Sequence, residues 1–161
     1  MLSQLPPSLH RALLRIGQPV RLAVWGLLRR EMCGCGVLAF DSAGHLLMVR
    51  HSYHKRDRWL LPGGGLARGE DPVSAGTREL LEESGCHLKA GAWIGTDLRK
   101  MPGGWINRIE LVAGSAEGVP HPDGREIAEA AFFPLDDLPP ATGEVVHVAL
   151  AIWRGWLASE R

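Results

Sequence analysis

Three closely spaced glutamates are the feature that most restricts how this chain can fold. The stretch RELLEESGC, residues 78–86, places Glu79, Glu82 and Glu83 on less than two turns of a predicted helix. Carboxylates at i,i+3 and i,i+4 spacing repel one another and destabilise an isolated helix. A solvated acidic face would leave that repulsion in place, whereas a divalent cation with oxygen ligands, such as magnesium, would remove it.

Residues typical of helix ends mark the limits of this helix. Asp71 followed by Pro72 is typical of an N-terminus and Gly85 of a C-terminus, so we predict a helix over residues 72–84. At about 100° per residue, the glutamates share one arc beside a second arc that we expect to face the core. That second arc contains Val73, Thr77, Leu80, Leu81 and Ser84.

The rest of the chain alternates short apolar runs with turn residues, which predicts strands. We expect these strands at about 36–40, 46–50, 59–61, 91–99, 105–113 and 128–133. A closing helix should present one apolar face, formed by Val145, Val148, Ala149, Ile152 and Trp156. Strands mixed with a few helices in no strict alternation predict an α+β fold with a mixed sheet.

A glycine-rich segment, LPGGGLARGED at residues 61–71, precedes the acidic helix. Its spacing to the helix matches a known pattern, the Nudix box: G, five residues, E, seven residues, REU, one residue, EE, one residue, GU, where U is apolar. The pattern is filled by Gly64, Glu70, Arg78, Glu79, Leu80, Glu82, Glu83, Gly85 and Cys86. The chain therefore resembles the MutT/Nudix hydrolase family. The resemblance implies an α/β/α sandwich, hydrolysis of a nucleoside diphosphate linked to another moiety, and Mg²⁺ or Mn²⁺ as cofactor.

The same resemblance implies a role for each matching residue. Glu82 and Glu83 correspond to the metal-binding pair, and the carbonyl of Gly63 corresponds to a backbone ligand. Glu79 matches a position that binds metal or acts as general base in different members. Supporting roles fall to Arg78, which orients that glutamate, to Glu70 and Gly64 in the loop, and to Glu126, which matches a further carboxylate.

Substrate-binding residues are predicted from the basic and aromatic stretch RHSYHKRDRW, residues 50–59. Arg50, Lys55, Arg56 and Arg58 are candidates for binding phosphates, and Tyr53 or Trp105 for stacking on a base. A solvated hairpin loop is the alternative for this stretch. Pro102 lies where family members that hydrolyse ADP-ribose often carry proline, although Pro102-Gly-Gly also suits a hairpin turn.

Composition limits the class of protein and its partners. Lys and Arg together number 18, as do Asp and Glu, so no overall basic field favours nucleic acid. The three cysteines, Cys33, Cys35 and Cys86, follow no disulfide framework, which predicts reduced thiols and a cytoplasmic location. No apolar run approaches the roughly 20 residues that span a bilayer.

The N-terminal segment differs from the rest of the chain. Residues 1–30 contain five arginines and no acidic residue, with apolar residues at helical spacing on either side of Pro19. We therefore divide the chain into a basic, helical extension at 1–33 and a Nudix domain at 34–161. The extension is expected to pack on the domain or on a second subunit in a homodimer, and contact with a membrane surface is the alternative.

The sequence thus predicts a metal-dependent diphosphatase. Its expected substrate is a small nucleotide diphosphate derivative, either ADP-ribose-like or a nucleoside triphosphate. Two alternatives stay open: removal of a 5′ pyrophosphate or cap from RNA, and a nucleotide-sensing module without catalysis. Such modules typically lose glutamates of the box, and this chain retains all of them.

Overall fold

The computed structural model describes residues 31–52, 58–102, 104–122 and 126–160. The strands are β1 Glu31–Phe40, β2 Leu46–His51, β3 Trp59–Leu60, β4 Gly63–Gly65, β5 His87–Lys100, β6 Ile106–Glu117 and β7 Ile127–Phe133. The helices are α1 Pro72–Ser84 and α2 Glu144–Ser159. The predicted extension up to residue 30 and the predicted substrate residues Tyr53, Lys55 and Arg56 lie outside the described residues.

All of these strands belong to one mixed sheet. Its main path runs in the order β3-β2-β1-β6-β5, with β4 paired to β1 and β7 paired to β2. β1 and β6 run parallel over ten residue pairs, from Glu31↔Ile106 to Phe40↔Ser115, and the other pairings are antiparallel. The mixed sheet predicted from the sequence is confirmed.

One helix covers each face of the sheet. Side chains alternate along a strand, so neighbouring residues point to opposite faces. Val37 and Leu47 accordingly pack with Leu80 of α1, while Leu38 and Leu46 pack with α2. These four strand residues are completely buried. The α/β/α sandwich that the resemblance implied is therefore confirmed.

The predicted limits of α1 are confirmed at both ends. The Asp71 carboxylate accepts a hydrogen bond from the Ser74 backbone N–H at 2.8 Å, and Gly85 ends the helix with φ of +70°. A side chain is strained in that left-handed conformation, which explains why glycine occupies the position.

The predicted buried face of α1 is partly wrong. Leu80 and Ser84 are buried as expected, but Leu81 is 43% exposed and Thr77 is exposed, whereas Ala75 and Gly76 are buried. The cause is close approach of the helix to the sheet: a Cβ on Gly76 would lie 3.0 Å from Cγ2 of Val37. Small residues, and not the larger Leu81, therefore define the contact.

The buried face of α2 differs in part from the prediction. Ala149 is buried, and Ile152 and Trp156 pack against the core as expected, but Val145 is 39% exposed, and Val146 and Leu150 are buried in its place. Trp153 continues this face one turn later and stacks on Phe40 with ring centroids 4.6 Å apart. Because α2 is apolar around much of its circumference, the sequence pattern did not distinguish these neighbouring faces.

Part of the predicted glycine loop is a strand. Gly63, Gly64 and Gly65 form β4 and pair with Gly36, Cys35 and Gly34 of β1. A Cβ on Gly63 would lie 2.2 Å from the carbonyl oxygen of Cys35, whereas a Cβ on Gly65 would meet no atom within 4 Å. The backbones of β1 and β4 thus require glycine at 63 but not at 65.

Two further predictions from the sequence concern the cysteines and membrane-spanning segments. All three cysteines are free, with Cys33 exposed and Cys35 and Cys86 buried. None of the helices that the structure describes is long and apolar enough to cross a bilayer.

Gly63→Ala should lower the free energy of unfolding by about 3 kcal/mol, because its Cβ overlaps backbone atoms that cannot rotate away. Chemical denaturation measures this loss. The matched control, Gly65→Ala, should stay within about 0.5 kcal/mol of the original protein. Equal stability of the two variants would contradict the close contact between β4 and β1.

Candidate active site

Glu79 lies directly over the glycine strand. A Cβ added to Gly64 would lie 2.4–2.5 Å from the carboxyl carbon and both carboxylate oxygens of Glu79. The Glu79 side chain is only 13% exposed. The absent side chain at position 64 therefore provides the space that the carboxylate occupies.

Glu83 contacts the same strand one residue earlier. Its Oε2 accepts a hydrogen bond from the Gly63 backbone N–H at 2.9 Å. Glu79 and Glu83 are one helical turn apart, so both face β4 from the same side of α1. Two carboxylates consequently meet two adjacent glycines at the edge of the sheet.

Glu82 is the most exposed of the three predicted metal-binding glutamates, Glu79, Glu82 and Glu83. It is 60% exposed, and its Oε2 lies 3.7 Å from Nη1 of Arg78. The helix therefore directs Glu82 towards solvent beside the pair formed by Glu79 and Glu83.

Arg78 connects these acidic groups. Its Nη1 donates to Oε1 of Glu79 at 2.6 Å, and its Nη2 lies 3.3 Å from Oε1 of Glu70 and 3.4 Å from the carbonyl oxygen of Gly65. The hydrogen bond to Glu79 raises the pKa of Arg78 further above its usual range, so the guanidinium keeps its charge. Arg78 thereby fixes the position of Glu79 and offsets part of the repulsion among the glutamates.

Glu70 holds the loop between β4 and α1. Its Oε2 accepts a hydrogen bond from the Ala67 backbone N–H at 2.9 Å. That hydrogen bond, aided by the hydrogen bond and charge of Arg78, lowers the pKa of Glu70. Glu70 is consequently ionised at neutral pH and links the loop to the same arginine that holds Glu79.

Within the described residues, no three side chains of His, Cys, Asp or Glu are arranged to hold a metal ion together. Arg78 engages Glu79, and the Gly63 N–H engages Glu83. The donors nevertheless fit a hard divalent cation, because carboxylate and backbone carbonyl oxygens are its preferred ligands.

The other predicted residues have different surroundings. Arg50 forms an ion pair with Glu129 on the neighbouring strand, and its guanidinium lies 5.8 Å from the ring centre of Trp59. The Trp105 carbonyl accepts a hydrogen bond from the Met101 N–H at 2.9 Å, which closes the turn between β5 and β6. Arg50 and Trp105 thus have structural contacts of their own.

Glu126 and Arg58 are both exposed. The Glu126 carbonyl accepts a hydrogen bond from the Ser52 N–H at 2.8 Å, which places Glu126 just past the end of β2. Arg58 immediately precedes β3. The roles of both residues, like those of the box glutamates, stay predictions.

A cavity of about 280 Å³ was missed by sequence reasoning. It adjoins Gly63 and Gly64 and includes four polar side chains: His51 from β2, Asp97 and Arg99 from β5, and Asn107 from β6. Nε of Arg99 lies 2.6 Å from Oδ2 of Asp97, and these side chains are only 26% and 14% exposed. The remaining lining is largely apolar and includes Leu60, Leu61, Ile109, Leu111 and Val145. The lining residues come from separate strands, so their shared cavity is not visible in the sequence. Only the alternation of polar residues along β5 could have predicted that Asp97 and Arg99 lie on one face of the sheet.

A buried carboxylate, Glu110, was also missed. It accepts hydrogen bonds from Trp93 at 2.7 Å, Thr96 at 2.8 Å and Arg108 at 2.6 Å. Burial acts to raise its pKa, but these hydrogen bonds and the charge of Arg108 outweigh burial and lower the pKa. Glu110 pairs in register with Cys35, which in turn pairs with Gly64, so it fixes the sheet next to β4.

Comparison with known proteins identifies relatives of the chain. The family model of the NUDIX domain matches residues 32–153. The NAD-capped RNA hydrolase NudC of Vibrio parahaemolyticus is 25% identical over 118 residues, which cover 72% of this chain and 45% of that protein. Human diphosphoinositol polyphosphate phosphohydrolase 3-alpha is 36% identical over 70 residues, which cover 44% of this chain and 41% of that protein. The chain thus spans less than half the length of these curated relatives.

Solved structures share the fold. The MutT NUDIX hydrolase from Burkholderia pseudomallei superposes with a TM-score of 0.66 at 24% sequence identity, covering 75% of this chain and 96% of that one. The MutT protein from Methanosarcina mazei gives a TM-score of 0.62 at 19% identity, covering 79% of this chain and 96% of that one. At these identities the likeness concerns the fold alone.

Glu83→Ala should lower the free energy of unfolding by about 1–3 kcal/mol, because it leaves the partly buried Gly63 N–H without its acceptor. Glu83→Gln keeps an acceptor oxygen and should cost less. The exposed control, Glu82→Ala, should change stability by no more than about 0.5 kcal/mol. If Glu83→Ala is as stable as Glu82→Ala in urea denaturation, the hydrogen bond does not hold β4 to α1.

Proposed function

The chain belongs to the Nudix family, and from that premise we propose that it is a metal-dependent diphosphatase. Its proposed substrate is a nucleoside diphosphate linked to another moiety, and its proposed cofactor is Mg²⁺ or Mn²⁺. The observation that carries this proposal is the meeting of Glu79 and Glu83 with the adjacent glycines Gly64 and Gly63. A solvated acidic helix face would not require either contact.

The geometry supports distinct tasks for these residues. Glu79 is held at one oxygen by Arg78, and its fixed position against the backbone of Gly64 suits a general base that removes a proton from water. Glu82, Glu83 and the Gly63 carbonyl are the groups that we propose to bind the cofactor. When bound, a divalent cation neutralises phosphate charge and promotes attack by water on phosphorus.

Arg78 has a role both in the absence and in the presence of a bound cation. Without a cation, its guanidinium offsets the charge of Glu79 and lies within 4 Å of Glu82. With a cation present, its hydrogen bonds to Glu79 and Glu70 would keep the base and the loop in place. We therefore assign Arg78 an orienting role and not direct contact with water.

We propose that the cavity of about 280 Å³ next to Gly63 and Gly64 binds the base or the moiety linked to the diphosphate. Its apolar lining suits a flat ring, and Asp97, Arg99 and Asn107 supply donors and acceptors that fix the ring's orientation. The phosphates would then lie between this cavity and the glutamates of α1. The residues of the 53–58 loop and Trp105 stay secondary candidates for substrate contact.

A second candidate substrate is supported by one relative. NudC, which matches 72% of this chain, is named for hydrolysis of NAD-capped RNA. Such a cap contains a nucleoside diphosphate linked to another moiety, so the same site chemistry would serve. The neutral overall charge of the chain supplies no additional affinity for the RNA backbone, and we therefore place the small nucleotide first.

Turnover of the best substrate should disappear in EDTA and return with excess Mg²⁺ or Mn²⁺, because the carboxylates alone repel a diphosphate. Separation of each compound from its cleavage products by ion-exchange chromatography identifies that substrate. The panel should contain ADP-ribose, nucleoside triphosphates, NAD, NAD-capped RNA and a diphosphoinositol polyphosphate. EDTA already saturated with Mg²⁺ is the matched control and should have no effect. Undiminished turnover in EDTA would refute the metal requirement, and no turnover of any compound would refute the activity.

Gly64→Ala should leave the protein folded but reduce kcat by about 100-fold. The new Cβ displaces the flexible end of Glu79, and misplacing a catalytic group by about 1 Å has an effect of this size. Stability should fall by no more than about 1 kcal/mol, since a side chain can move where a backbone cannot. Gly65→Ala is the matched control and should retain kcat. Normal kcat in Gly64→Ala would show that the position of Glu79 does not matter for turnover.

A further inference from the structure

One flank of α1, beside the face that packs on the sheet, carries an apolar row formed by Val73, Thr77 and Leu81 at i, i+4 and i+8. Val73 packs partly against the core, whereas Thr77 is exposed and Leu81 is 43% exposed. A surface cavity of about 480 Å³ is lined by Val73, Ser74, Thr77, Arg78, Leu81 and Glu82. Of the described residues, only those of α1 line this cavity. An exposed apolar row on a helix that is already packed on a sheet favours a further packing partner.

The chain enters β1 close to the start of this row. Glu31, the first residue of β1, and Pro72, the first residue of α1, line one common cavity of about 1,020 Å³. The described chain therefore begins, at Glu31, at the same cavity as the N-terminal end of α1. A segment running back from Glu31 needs no long linker to reach the apolar row.

The sequence of that segment complements the row. Val20, Val24 and Leu27 recur at i, i+4 and i+7, and Pro19 stands where a helix would begin. Val20 to Leu27 spans about 10 Å as a helix and Val73 to Leu81 about 12 Å, since each residue rises about 1.5 Å. An antiparallel pairing would place Leu27 beside Val73 and Val20 beside Leu81.

Charge favours the same arrangement. Residues 1–30 carry five arginines and no acid, whereas α1 carries three glutamates and one arginine. With Val20 beside Leu81, the next residues along each helix, Arg21 and Glu82, would lie on the same side of the contact. Glu82 is 60% exposed on that side and lies 3.7 Å from Nη1 of Arg78, so Arg21 would be a second cation beside the same carboxylate. Such a charge pair adds little stability, but it selects one orientation over the other.

We propose that residues 20–29 pack as an amphipathic helix along Val73, Thr77 and Leu81 of α1. The segment then covers the flank of α1 beside the face that packs on the sheet. Its occupant is this segment of the same chain, and not a second copy or a lipid surface. The inference goes beyond the proposed activity and does not depend on it.

Disulfide formation in the full-length chain tests this contact directly. In a Cys33→Ser background, Val20→Cys is combined with Leu81→Cys or, as a control, with Leu157→Cys. Leu157 is similarly exposed, at 36%, but lies on α2 across the sheet. Under oxidised glutathione, the 20/81 pair should form an intramolecular bond at least about 10-fold faster than the 20/157 pair, because neighbouring thiols have a high effective concentration. Mass spectrometry and non-reducing gels measure both rates.

Other occupants give different results. Equal rates for the two pairs would overturn the proposal, and so would a bond that links two chains and yields a dimer on the gel. If the full chain sediments with phosphatidylglycerol vesicles, and the 20/81 bond forms no faster than the 20/157 bond, the apolar row binds lipid and the proposal is wrong.

A second measurement does not use cysteine. Val20→Gln and Leu81→Gln should each lower the melting temperature by about 3 °C, and the double variant should lose much less than the sum. Additive losses would overturn the proposal.

Discussion

The close packing of Gly63 against β1 and of Gly64 against Glu79 of α1 is the constraint on which the site depends. Gly63 fits against the carbonyl of Cys35 only because it lacks a Cβ, and Gly64 leaves the volume that the Glu79 carboxylate fills. The Gly63 N–H then reaches Glu83 at 2.9 Å. One short strand therefore fixes the positions of two carboxylates from α1, and Glu110 and Arg108 hold the adjacent part of the sheet.

Crowded negative charge is the cost of this arrangement, and Arg78 offsets part of it. It contacts Glu79 and Glu70 and lies 3.7 Å from Glu82, so one guanidinium serves three carboxylates. The partly buried carboxylates of this network need partners of opposite charge, because removing an unpaired charge from water is unfavourable. A cation and a diphosphate would extend the same charge balance into the substrate-bound state. This connection links the fold to the proposed chemistry.

Local signals in the sequence predicted local structure well. The capping residues Asp71 and Gly85 gave the limits of α1, and apolar runs gave the positions of most strands. The motif spacing identified the family and, through it, the two-helix sandwich. These features are encoded within a few residues of one another, so no knowledge of tertiary contacts was needed.

Features that depend on packing between distant segments were not predictable in this way. Leu81 is more apolar than Ala75 or Gly76, yet the close approach of α1 to Val37 buries the smaller residues. The pairing of β4 with β1 depends on glycines about 30 residues apart. Asp97, Arg99 and Asn107 share a cavity only after β5 and β6 pair, and Arg50 is engaged by Glu129 only through the β2–β7 pairing.

The proposed metal site is tested most directly by an anomalous difference map from crystals grown with Mn²⁺ and a non-hydrolysable diphosphate analogue. We expect its strongest peak between α1 and β4, within about 2.5 Å of carboxylate oxygens of the Glu79, Glu82 and Glu83 cluster and near the Gly63 carbonyl. The analogue should extend from that peak towards Asp97 and Asn107. A strongest peak away from α1 and β4, or a bound analogue with no Mn²⁺ beside these glutamates, would contradict the proposed metal site.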